Sequence, residues 1–148
     1  MIAGFRLVVE NARQARPEAR VDGATIQHMV PAGQDVIVGT LNDPQFGPLV
    51  MFGSGGVEVE GLKDVAFALA PLTRREAEEM LERTWAGRKL KGFRSLAPAD
   101  REAVIDALVR LGQLAVDHPR IQEMEINPLR VLTPGEGAFA IDIRVRLE

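Results

Sequence analysis

Two oxygen-bearing side chains near the C-terminus offer the clearest prospect of chemistry. The stretch from Ile121 to Arg144 consists of two alternating runs around a Thr133-Pro-Gly-Glu-Gly137 break. Glycine and pre-bent proline supply turn dihedrals at little cost, so the pattern predicts an antiparallel hairpin. Side chains alternate along a strand. In the second run this puts Phe139, Ile141, Ile143, Val145 and Leu147 on one face and Asp142, Arg144 and Arg146 on the other. In the first run Met124 and Ile126 are the apolar partners, which leaves Glu123, Glu125 and Asn127 on the opposite face. A turn over Thr133 to Glu136 sets Asn127 against Asp142. Opposed residues have Cβ atoms about 4.5–5.5 Å apart, close enough for two oxygens to clasp one hard cation. The same residues have a plainer reading, because Asn before Pro forms turns and Asp on a polar strand face is commonly solvated. Spacing alone leaves both open.

Other candidates carry less. Gly53-Ser54-Gly55-Gly56 follows an apolar run, and glycines there let backbone N–H groups approach a phosphate. The string lacks both the GxGxxG and the GxxxxGK[ST] spacing, and a plain loop or bulge explains it more simply. The Ala86 to Leu96 segment is rich in Lys and Arg and reads as a solvated connection or a binding lip. His118 precedes a helix-ending Pro and reads as a cap. No Ser-His-Asp arrangement and no paired-His spacing is present.

Hydrophobic content of 46%, charged content of 26% and a net charge of −3 over 148 residues describe an ordinary globular protein. No basic run supplies the footprint of a nucleic-acid or anionic-membrane surface. The absence of cysteine excludes disulfides, thiolate metal sites and a cysteine nucleophile. No apolar run is long enough to span a bilayer and no signal-peptide core opens the chain, so the expected setting is cytoplasmic, with no membrane and no nucleic acid.

The elements that must position these groups follow from periodicity. Ile2, Phe5, Val9 and Ala12 predict an amphipathic helix over residues 2 to 15, ended by Pro17, although Phe5, Leu7 and Val9 also suit a strand. Ala24 to Val30 and Asp35 to Leu41 read as strands of a hairpin turning at Pro31-Ala-Gly33, and Pro48 to Phe52 as a further strand. Thr73 and Glu76 form a capping-box pair opening a helix to Trp85, whose ring is expected in the core. Val104, Leu108, Leu111 and Ala115 stripe a second helix, with Pro98 in its first turn and Asp117-His118-Pro119 as its stop.

Taken together, Asp43-Pro-Gln-Phe-Gly-Pro-Leu-Val-Met-Phe-Gly53, Gly55-Gly56-Val-Glu-Val-Glu60, Leu62-Lys-Asp-Val-Ala66, Ala70-Pro-Leu72, Glu125-Ile-Asn-Pro-Leu129 and Ile141-Asp-Ile-Arg144 resemble the ATP-grasp domain of ADP-forming (NDP-forming) acyl-CoA synthetases, relatives of the succinyl-CoA synthetase β subunit. The resemblance implies an α+β fold, an ATP-grasp lobe with an antiparallel sheet and helices mainly on one face. It implies ATP/ADP and Mg²⁺ as cofactors, with Asn127, Asp142 and Glu125 at the metal. Gln27, His28 and Met29 would line the adenine, Asp35 would replace a Glu that contacts the ribose or closes the site, and Gly53, Gly55 and Gly56 would lie by the triphosphate. Asp35 is one CH₂ shorter than that Glu, which puts the ribose contact in doubt. Arg144 and Glu60 are the implied catalytic side chains. It further implies that residues 1–148 form one domain, the C-terminal part of an ATP-grasp domain whose nucleotide-binding first half lies upstream, and that the chain alone does not turn over. The implied partners are that missing half and a CoA-binding ligase domain or α subunit carrying a phosphohistidine. The alternatives are a non-catalytic regulatory module of a protein lysine acetyltransferase and a structural remnant.

Overall fold

The computed structural model describes residues 2–55 and 64–148, so the expectations for Gly56 and Glu60 fall outside the described residues. The chain divides into two compact units, Met1–Val30 and Pro31–Glu148. The first contains helix α1 (Ile2–Ala15), the amphipathic helix expected, and it buries none of its residues. The strand alternative for Phe5 to Val9 is therefore excluded. Ala24 to Val30 is not a strand, contrary to expectation, and Ile26 and Met29 are exposed. A strand needs a free hydrogen-bonding edge, and both edges of its supposed partner are taken by other strands.

The second unit is one antiparallel sheet backed by helices. Its strands are β1 (Gln34–Asp43), β2 (Gly47–Ser54), β3 (Val65–Leu69), β4 (Ile121–Val131), β5 (Ala138–Ala140) and β6 (Ile143–Leu147). They run in the order β3-β2-β1-β4-β5, with β6 also paired to β4. Val36, Val38, Val50, Phe52, Ile126, Leu129 and Val131 point to one face and form the core with α2 (Arg74–Arg83), α3 (Trp85–Lys89) and α4 (Arg101–Asp117). The α4 stripe of Val104, Ile105, Leu108, Leu111 and Ala115 is buried, as its spacing predicts.

Helix boundaries differ from the periodicity where a side chain caps the backbone. The Thr73–Glu76 capping box is present, but the expected single helix to Trp85 stops at Arg83. Thr84 is extended, and its hydroxyl accepts from the Gly87 N–H, starting a separate helix α3 at Trp85 that runs into the expected loop. Trp85 is half-buried instead of core, with its ring edge-on to Phe93 at 4.9 Å. Pro98 lies ahead of α4, whose N-cap is Asp100, while His118 is the C-cap as expected.

The C-terminal hairpin has the anticipated register, with Ile126 opposite Ile143 and Glu125 opposite Arg144. Between Ile126 and Leu129, however, β4 spends two residues, Asn127 and Pro128, against Ile37 alone, because Val38 pairs with Ile126 and Val36 with Leu129. Such a bulge resets the alternation. Ile143 therefore shares the core-side face with Ile126, whereas Phe139, opposite Arg130, lies on the other face. The expectation of one apolar row from Phe139 to Leu147 is corrected on this point. Those residues are also 40% to 58% exposed, since β6 lies at the sheet edge, away from the β1, β2 and β4 strands that α4 covers.

Candidate functional site

The face of the sheet away from the helices is divided in character. Pairing aligns its residues in rows across the strands. One row runs Phe67, Met51, Gly39, Glu125, Arg144, and the next runs Leu69, Leu49, Leu41, Glu123, Arg146. The β3 and β2 half is apolar, with Phe67 and Leu69 about half exposed, and the β4 and β6 half is charged. Gly39 keeps the middle flat, because a Cβ there would meet the Met124 carbonyl oxygen at 2.5 Å.

The third row contains the candidate metal ligands. It runs Val65, Gly53, Ile37 and then the bulge of β4, where the Asn127 N–H donates to the Asp142 carbonyl at 3.0 Å. The Asn127–Pro128 peptide is cis. The Asn127–Asp142 backbone hydrogen bond brings the two residues next to each other, one step beyond the Ile126–Ile143 pair. Glu125 lies two residues before Asn127, opposite Arg144. Among the described residues Asp142 has one ion-pair partner, Arg144 at 3.5 Å, with both side chains more than half exposed. A pair this open is worth little, so the carboxylate keeps oxygens available to a ligand. Arg146 similarly meets Glu123 at 3.3 Å, and Glu123, Glu125, Arg144 and Arg146 line a shallow cleft. Among the described residues no three acidic or histidine side chains gather as a closed metal cage. The donor set is open and oxygen-rich, and it fits a cation that keeps waters and shares phosphate oxygens.

The remaining predicted residues are placed as follows. Gly53 shares the clasp's row, and both Gly53 and Gly55 have structural reasons to be glycine: a Cβ would come 2.5 Å from the Asp64 carbonyl oxygen at Gly53 and 2.5 Å from the Val36 carbonyl carbon at Gly55. Asp35 is engaged by Arg130, whose Nε and Nη2 donate to its two oxygens at 2.9 Å each. Asp35's hydrogen bonds and charge raise the Arg130 pKa above its ordinary value. Gln27, His28 and Met29 are exposed and belong to the first unit.

Asp64 escaped the sequence reading. Its carboxylate accepts from Ser54 Oγ at 3.0 Å and from the Trp85 and Ala86 N–H groups at 2.7 and 2.8 Å. It thereby ties the ends of the glycine-rich segment to α3. No local signal announces it, because its helix partners lie 21 and 22 residues away.

An antiparallel sheet with helices on one face and an open, partly charged second face is an α+β lobe. The chain belongs to the ATP-grasp family: the ATP-grasp domain model matches residues 1–147. It is 46% identical to the ADP-forming acetate-CoA ligase I of Archaeoglobus fulgidus, over 97% of this chain and 21% of that protein. It is 45% identical to the β subunit of the ADP-forming acetate-CoA ligase I of Pyrococcus furiosus, over 97% of this chain and 61% of that subunit. Among solved structures it resembles acetyl-coenzyme A synthetase 1 of Ca. Korarchaeum cryptofilum in complex with coenzyme A and Mg-AMPPCP, whose phosphohistidine segment points towards the nucleotide binding site. That match has a TM-score of 0.76 and 44% identity, and covers 81% of this chain and 55% of that one. The chain thus spans between about a fifth and three-fifths of the length of these relatives. Among the described residues no helix is long and apolar enough to cross a membrane.

Proposed function

We propose that this chain is the C-terminal part of the ATP-grasp domain of an ADP-forming acyl-CoA synthetase acting on acetate or a similar small acid. Its work is to hold ATP or ADP with Mg²⁺ during phosphoryl transfer to or from a phosphohistidine on a CoA-binding partner domain or subunit. The observation that supports the reading is the backbone hydrogen bond from the Asn127 N–H to the Asp142 carbonyl, which brings the two proposed ligands together in the chain's C-terminal hairpin. The relatives are ligases, which supports this reading over the regulatory and structural alternatives.

Asn127 and Asp142 would hold the cation, with Glu125 accepting from its waters. When bound, Mg²⁺ neutralises phosphate charge and fixes phosphate orientation. Arg144 stands beside Asp142, and its guanidinium would offset charge on the transferred phosphoryl group. Gly53 and Gly55 would let phosphate oxygens approach the backbone, with Gly56 and Glu60 continuing that segment. Gln27, His28 and Met29 would face the adenine. The first half of the ATP-grasp domain completes the site from outside this chain, so nucleotide binding by the chain alone is expected at millimolar affinity, about −4 kcal/mol.

The test is ATP formation from acetyl-CoA, ADP and phosphate by the chain joined to the missing ATP-grasp half and a CoA-binding partner. Activity that disappears with Asp142→Asn supports the assignment. Full activity in that variant overturns the metal site, and an inert parent assembly with every acyl-CoA overturns the ligase reading.

A further inference from the structure

The segment from Thr84 to Ala99 contains no acidic residue and four basic ones, Arg88, Lys89, Lys91 and Arg94, in a chain whose net charge is −3. Arg88 and Lys91 have work within the fold, and Lys89 is engaged as well. Arg88 donates to the Glu82 carbonyl oxygen at 3.1 Å, and Lys91 pairs with the Glu82 carboxylate at 2.7 Å. Arg94 is different. It is exposed, and among the described residues it makes no hydrogen bond or ion pair; its guanidinium carbon lies 5.1 Å from the centre of the Phe93 ring.

Its backbone is also unusual. The Phe93 N–H donates to the Leu96 carbonyl at 3.0 Å and the Leu96 N–H to the Phe93 carbonyl at 2.9 Å, closing a two-residue turn with Arg94 and Ser95 at its tip. Arg94 has φ +54° and is the one non-glycine residue with positive φ among those described. Turns of this kind take glycine, or Asn, at such a position because a longer side chain there is strained. Local folding preference therefore argues against arginine at this tip. Strain tolerated at an exposed cation without a partner points to a use for the cation.

The turn is held firmly. Phe93 packs edge-on against the Trp85 ring, and the Trp85 backbone N–H donates to the Asp64 carboxylate. The guanidinium over the ring keeps its N–H edge free, and a planar fork of donors matches the oxygens of a phosphate. We propose that the Phe93–Arg94 turn is a docking point for a phosphate monoester dianion, separate from the Asn127–Asp142 clasp. It does not rest on the proposed ligase function, since neither residue belongs to the site described above.

Trp85 is the only tryptophan and the chain has no tyrosine, so its fluorescence reports on this turn. Coenzyme A, which carries a 3′-phosphate monoester, dephospho-coenzyme A, which lacks it, and inorganic phosphate are titrated into the chain without Mg²⁺. The expected result is a saturable, salt-sensitive change with coenzyme A that is at least tenfold weaker with dephospho-coenzyme A and is competed by inorganic phosphate. Arg94→Gly and Arg94→Asn relieve the positive φ, so both should melt at or above the parent temperature while losing at least tenfold in affinity. Equal responses to coenzyme A and dephospho-coenzyme A overturn the monoester assignment. Parent-like affinity in a stably folded Arg94→Asn, or no fluorescence response to any of the three compounds, overturns the docking site.

Discussion

Asp100 and Asp142 sit on opposite sides of one sheet and spend their carboxylates differently. Asp100 is 7% exposed and accepts three backbone N–H groups, from Ala103 at 3.1 Å and from Gly135 and Gly137 at 2.9 Å each. It caps α4 and ties down the turn between β4 and β5. Asp142 is more than half exposed and meets one arginine at 3.5 Å. A carboxylate whose lone pairs are consumed by the fold contributes to stability, while one with lone pairs in hand is available to a ligand. The bulge at Asn127–Pro128 shifts the alternation of β4, so that Ile126 and Leu129, three residues apart, both face the core.

The sharpest way to break this contrast is to neutralise each aspartate in turn. In the reconstituted assembly, if Asp142 is the charged metal ligand proposed above, Asp142→Asn should lower ATP formation by about a hundredfold or more. Its stability in urea should stay within about 0.5 kcal/mol of the parent, because nothing buried depends on it. Asp100→Ala should reverse the pattern. Losing a helix cap costs about 1 kcal/mol, and the Gly135 and Gly137 N–H groups lose their acceptor as well, so a loss of about 2 kcal/mol is expected in urea unfolding. A destabilised Asp142→Asn with normal turnover would refute the division of labour.

Acid sharpens the same comparison. Burial pushes the Asp100 pKa up, but hydrogen bonds from the Gly137, Ala103 and Gly135 N–H groups outweigh it and hold the pKa below the ordinary 3.8. A carboxylate with a depressed folded pKa binds its proton more readily when unfolded. Its contribution is therefore complete above the ordinary value and lost as pH falls through the folded one. The stability gap between the parent and Asp100→Asn should be constant from neutral pH to about pH 5 and close on acidification below about pH 4. A gap that widens with acid would mean the carboxylate is not the acceptor.

The register of the C-terminal hairpin is legible in the sequence because its determinants are local. The Thr133 to Glu136 turn fixes the register, with Ile126 opposite Ile143 and the Asn127 N–H donating to the Asp142 carbonyl. Strict alternation fails at Phe139, because the bulge is imposed by pairing with β1, about ninety residues earlier in the chain. Asp100 and Asp64 were missed for a related reason: Asp100's glycine donors are 35 and 37 residues away and Asp64's helix donors 21 and 22. The capping box of α2 was read correctly because it spans three residues, whereas the stop at Arg83 was not, since it depends on Thr84 and Asp64 together. Ala24 to Val30 has strand-like residues but no open edge to join, and composition does not reveal which edges are free.

Asp35 is the intermediate case, and it gives the smallest expected effect. Its carboxylate is 29% exposed and both its oxygens are held by Arg130, its partner across β1 and β4. The pair is bidentate but partly solvated, so a double-mutant cycle of Asp35→Asn with Arg130→Met should give a coupling of about 0.5–1 kcal/mol, less than Asp100 provides. If Asp35 contacts the ribose, as the family resemblance implies, the nucleotide must draw it away from Arg130 and loses part of that coupling. Arg130→Met should then leave Asp35 freer and raise nucleotide affinity slightly, by about twofold, in the reconstituted protein. Asp35→Asn should lower affinity by a similar factor. If Asp35 instead works as Asp100 does, both substitutions cost stability and neither moves nucleotide affinity. Calorimetric titration of ATP alongside urea unfolding of the three variants separates the two outcomes.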